Sequence, residues 1–97
     1  MSMTTMEALR DRANALIPQV VAVSRESTLD EYEIHALQFL EQRLRDIWAE
    51  ADTGNLVQDA RREGEMARVV VETNPQVLPP ELGGEILAVE KDYYALR

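Results

Sequence analysis

Met6, Leu9, Ala13, Leu16, Val20 and Val23 are separated alternately by three and four residues. That interval brings side chains onto one face of an α-helix, and it predicts a first helix from Thr4 or Thr5 to about Val23. Thr4 and Glu7 have the spacing of a capping box, in which a hydroxyl and a carboxylate satisfy free amides of the first turn. Pro18 lies within the stripe. It lacks an amide hydrogen and crowds the carbonyl of Asn14, so a kink or a break is expected there.

A second stripe, Leu29, Ala36, Leu37, Leu40, Leu44, Ile47, Trp48 and Ala51, continues for some six turns. Ser27 or Thr28 is placed to cap it, with Thr28 and Glu31 again at capping-box spacing and Asp30 and Glu31 at the positive end of the helix dipole. Gly54 supplies a left-handed terminator.

A third helix is expected from about Asn55 to Glu72, with a seam of Val57, Ala60, Gly64, Ala67 and Val71, closed by Asn74-Pro75. Residues 74–84 hold three of the four prolines and two of the four glycines, which predicts a turn rather than a long element. Leu82, Ile86, Val89, Tyr93 and Leu96 then mark a fourth helix that begins at Pro80 or Gly84. The pattern therefore predicts an all-α fold, a bundle of three to four helices in one domain spanning residues 1–97. The competing reading is α+β, with β-branched runs near 19–23 and 67–72 forming short paired strands.

A chain of 97 residues has room for one hydrophobic core. Its 45% apolar content suits a globular domain. Cysteine is absent, which removes disulfides, thiolate ligands and a cysteine nucleophile and fits a reducing compartment. The N-terminal residues lack the apolar stretch of a secretory signal, and no run reaches the length of a membrane span. A cytoplasmic protein with no membrane association is expected.

Eighteen acids against ten bases give a formal charge of −8, and residues 26–52 alone contribute −6 through eight acids and two arginines. Such a surface repels nucleic acid, whose binding depends on neutralising phosphates, so no direct nucleic-acid partner is expected. The concentration of charge offers either a solvated helix face or a docking face for a basic partner. Mimicry of nucleic acid would need an uninterrupted row of acids. Arg43, Arg45, Arg61 and Arg62 interleave with them.

The residues give no support for catalysis. His35 is the sole histidine, on the side of the second helix opposite its stripe, and Tyr32 stands where a di-iron bundle would carry glutamate. Asp52 and Glu63 have the ends of a calcium-loop spacing, but Leu56 and Val57 occupy the fifth-ligand and glycine positions. No nucleophile has a base and no phosphate loop is present. No enzyme, metal or cofactor is expected. Glu26-Ser27-Thr28-Leu29, at the head of the most acidic helix, is similar to the Asp-Ser-Leu of acyl carrier proteins, whose serine bears a pantetheine arm. The extra Thr28 departs from that pattern, and Ser27 reads equally as a cap.

The remaining signals are surfaces. On a helical wheel Tyr32 and Phe39 lie together roughly 100° from the centre of the second helix's stripe, near Arg43, Asp46 and Glu50. An aromatic pair framed by charges has the character of a protein-binding hot spot. The alternative is that a neighbouring helix covers both rings. Trp48, at the stripe's edge, is assigned to the core. Leu87 and Tyr94, with Tyr93 on the seam beside them, give the fourth helix apolar side chains on two sides and suggest a homodimer interface. In size, charge and class the chain resembles acidic helical inhibitors and anti-activators of bacteria and their phages. That resemblance implies a regulator that occludes a surface of a larger protein. A structural or chaperone-like subunit of a larger assembly is the alternative expectation.

Overall fold

The second helix shows how the chain builds its elements. In the computed structural model, which describes residues 5–26 and 28–96, α2 runs over Glu31–Thr53. Asp30 caps it: its Oδ1 accepts from the Glu33 amide at 2.8 Å, and the Asp30 amide donates to Glu33 Oε1 at 3.1 Å. The capping box therefore sits two residues beyond the expected Thr28–Glu31 pair, on an equally spaced Asp-x-x-Glu; Ser27 lies outside the described residues. Gly54 ends the helix at φ +76°, and the Asn55 amide bonds back to the Glu50 carbonyl at 3.0 Å.

Helix α1 spans Met6–Ser24, with the Thr5 hydroxyl accepting from the Ala8 amide at 3.0 Å. Thr4, and with it the expected Thr4–Glu7 box, lies outside the described residues. The helix continues unbroken through Pro18. Pro18 and Asn14 both face solvent, where water can satisfy the carbonyl that the proline leaves without a donor, while Leu16, Ile17 and Val20 hold the opposite face in the core.

The expected third helix is divided. Residues 55–59 are non-helical, Ala60–Arg62 form one 3-10 turn, and α3 covers only Glu65–Glu72. Gly64, read from spacing as an interior seam residue, sits at φ +88° immediately before α3 and starts the short helix instead of extending a long one. Helix α4 spans Pro80–Ala95, with Pro80 in its first turn where no amide donor is needed. The architecture is all-α: Val20–Val23 lie in α1, Val69–Val71 lie in α3, and no strand occurs among the described residues.

Helix α1 packs along α2, and α4 lies against α1 and α3. The core joins Leu9, Ala13, Leu16 and Val20 to Leu37, Leu40, Leu44 and Ile47, and closes with Met66, Leu78, Ile86, Val89 and Tyr93. Ion pairs between Arg12 and Asp92, and between Arg10 and Asp52 at 3.6 Å, fasten α1 to α4 and α2. Among the described residues, no helix is long and apolar enough to cross a membrane.

Candidate functional site

Tyr32, Phe39, Arg43, Asp46 and Glu50 recur at intervals of three, four and seven and share one edge of α2. The structure gives them different environments. Tyr32, in the first turn, is 64% exposed. Beside it a shallow hollow is lined by Asp30, Glu33, Glu72, Thr73 and Asn74. Three carboxylates thus border an accessible aromatic ring, brought there because the C-terminal end of α3 meets the N-terminal end of α2. Phe39 is half-buried against the core, so the two rings do not form an equally exposed pair.

Arg43, expected to frame an exposed surface, is only 5% exposed. Its Nη1 stands 3.7 Å from Asp46 Oδ2, outside hydrogen-bonding range, and its Nε has no partner. The cause is tertiary: residues 57–62 and α4 close over this part of α2. Arg43, Asp46, Glu50, Val57, Asp59, Arg62 and Tyr93 line a cavity of about 220 Å³ there.

Glu50 is drawn into the fold as well. Its Oε1 accepts from the Val57 amide at 2.7 Å and from the Tyr93 hydroxyl at 2.5 Å. The same hydroxyl accepts from the Gln58 amide at 2.8 Å. Gln58, at φ +49°, sends its side-chain amide to the carbonyls of Tyr93 and Leu96 at 2.6 and 2.9 Å, closing the end of α4. Burial first, and the adjacent Glu50 carboxylate second, raise the Tyr93 pKa to about 12. Burial likewise raises Tyr94. The Arg61 side chain, hydrogen-bonded to Asp59, holds that carboxyl below its ordinary value.

The residues offered for a dimer interface are also redistributed. Tyr93 and Tyr94 are 1% and 5% exposed, with their rings edge to face at 4.8 Å between centroids. Tyr94, expected on the surface, donates its hydroxyl to the Asp59 carbonyl at 2.9 Å. Both tyrosines anchor the 55–59 connection within one protomer, while Leu87 is half-buried. Trp48, assigned to the core from the stripe, is 37% exposed and lines a surface depression with Asn14, Ile17, Arg45 and Ala49. It lies on the far flank of α2's core-facing strip, where α1 covers only part of a large ring.

His35 is exposed, and no cluster of three or more histidine, aspartate or glutamate side chains is arranged to hold a metal among the described residues. Sequence reasoning did not anticipate the Arg43 cavity. The available signal was the position of Arg43 next to Leu44, close enough to the buried strip for a covering loop to seal it. Compared with models of known protein families, with curated proteins and with solved structures, the chain matches none.

Proposed function

We propose that this protein is a cytoplasmic protein-binding module that captures a basic segment of a larger protein and regulates it by occluding that surface. The observation that carries this reading is Tyr32, an exposed ring bordered by Asp30, Glu33 and Glu72. A guanidinium or ammonium group placed over such a ring gains a cation–π contact and charge-assisted hydrogen bonds to the carboxylates. The −6 charge of residues 26–52 would steer a basic partner towards it. Tyr32 is the anchor and Phe39 a partly covered neighbour; Asp46 adds to the field, whereas Arg43 is buried and Glu50 is hydrogen-bonded inside the fold. Capture of partners from the native cell by wild-type protein and by Tyr32→Ala tests the reading. The substitution should leave the exposed site folded and cost about 2 kcal/mol or more in binding. Undiminished capture would remove the assignment.

The alternative, a structural or chaperone-like subunit, draws on different residues. Trp48, Val57 and Val71 leave apolar surface in water, Val57 and Val71 at 69% and 77% exposure, which permanent neighbours could cover. Co-purification in a fixed stoichiometric complex that survives Tyr32→Ala would favour that role.

A further inference from the structure

Arg43 poses a problem of its own, separate from the acidic hollow at Tyr32. A guanidinium is charged at all accessible pH values and presents five donors. This one is buried, with its Nε unpartnered and its single ion pair stretched to 3.7 Å. Burying a charge so poorly satisfied is unfavourable unless an acceptor arrives. Its Nε is sealed within the fold, so an acceptor entering the cavity that the side chain lines would meet the terminal Nη atoms.

The other walls narrow the chemistry of that acceptor. Arg62 is held by Glu65 at 3.2 Å, and Asp59 is held by Arg61 at 3.2 Å, so these four charges are paired. Asp46 Oδ1 takes the Gln42 amide at 2.9 Å, while its Oδ2 is only loosely matched to Arg43. Both hydrogen bonds to Glu50 fall on Oε1. The cavity is therefore lined by a loosely paired guanidinium and by two carboxylates whose hydrogen bonds each fall on one oxygen. A phosphate dianion would meet repulsion from the acids, and a simple cation would meet repulsion from Arg43. A molecule carrying a carboxylate and an ammonium close together satisfies both. About 220 Å³ falls below the roughly 300–1,000 Å³ of sites for drug-sized ligands. Val57 and the Tyr93 ring supply apolar wall for a small side chain.

We propose that the cavity lined by Arg43, Asp46, Glu50, Val57 and Tyr93 binds a free α-amino acid, its carboxylate on Arg43 and its ammonium on Asp46 and Glu50. This site is independent of Tyr32, so either assignment can fail without the other.

The test is an NMR titration of the isotopically labelled full chain with each common free L-amino acid, L-alanine first. Saturable shifts at the Arg43 Nε–Hε and the Val57 and Gln58 amides are expected for at least one of them. The N-acetylated and the amidated forms of that amino acid should each bind at least about tenfold more weakly, and Arg43→Gln should abolish the shifts. If Arg43→Gln proves unfolded by circular dichroism, Asp46→Asn reports instead, because its rim position leaves the fold intact and its loss should weaken binding. Acetate alone shifting the same signals as strongly would mark a plain anion site and overturn the proposal. Absence of any response up to the solubility limits would overturn it as well.

Discussion

The carboxylate of Glu90, buried on α4, accepts the amide of Met66 on α3 at 3.0 Å, and its other oxygen accepts from Ala67 at 3.3 Å. Helix α3 begins at Gly64, which has no side chain to cap the free amides that follow. Glu90, 24 positions beyond Met66, performs the task, and its negative charge also complements the helix N-terminus. Folding α3 is thereby tied to docking it on α4.

Glu90→Ala leaves the buried Met66 amide without an acceptor. It should destabilise the protein by about 1–3 kcal/mol in urea unfolding. Glu90→Gln keeps one oxygen acceptor and should lose less. Hydrogen exchange should quicken first at Met66 and Ala67, whereas the middle of α2 stays protected until global unfolding.

Tyr93 predicts a response to alkali. Its folded pKa, about 12, lies above the ordinary value of 10.0, so the folded chain holds the phenolic proton more tightly than the unfolded chain does. The associated stability is present in full below pH 10 and disappears as pH rises through about 12. Urea unfolding across that window should show this loss. Tyr93→Phe should remove most of that slope, and it should already be less stable at neutral pH by about 1–3 kcal/mol, having lost the bonds to Glu50 and Gln58.

Local pattern anticipated what local pattern controls. Leu9, Ala13, Leu16 and Val20 of α1, and Leu37, Leu40, Leu44 and Ile47 of α2, are buried where helical spacing put them. The third element misled because Val57, Ala60, Gly64, Ala67 and Val71 keep helical spacing across a glycine whose left-handed backbone breaks the coil. Spacing carries no information on φ. The cap of α2 was ambiguous in principle, since Thr28–Glu31 and Asp30–Glu33 offer the same interval. Within the candidate site, the wheel found the flank of α2 that carries Tyr32. It could not foresee which part of that flank residues 57–62 would seal, and so placed Arg43 and Glu50 in water. Tyr94 and Trp48 exchanged environments for the same reason: a ring at the margin of a stripe is assigned by the neighbour that covers it.

Pro18 offers a stabilising change. Proline inside a helix costs about 3 kcal/mol relative to alanine, and here it deprives the exposed Asn14 carbonyl of its intrahelical donor. Pro18→Ala restores that bond without touching the core. Part of the gain is offset, because an alanine chain has more unfolded freedom to lose. An increase of about 1–2 kcal/mol in unfolding free energy is expected, with an unchanged circular dichroism spectrum shape.

Gly83 and Gly84, adjacent in α4, should respond oppositely to the same substitution. Replacing glycine by alanine inside a helix ordinarily stabilises by about 0.5–1 kcal/mol. At Gly84 a new Cβ would meet nothing within 4 Å, so Gly84→Ala should realise that gain. At Gly83 the Cβ would stand 2.9 Å from Val70 Cγ1, on the helix packed against it. Valine is confined at χ1 and cannot swing aside cheaply. The resulting overpacking, about 1–3 kcal/mol, exceeds the helix gain, leaving a net loss of about 1–2 kcal/mol for Gly83→Ala. Val70→Ala removes the obstructing methyl, so the double variant should be more stable than the sum of the two single effects. Additivity in that urea-unfolding cycle would show that α3 and α4 are not in the close contact described.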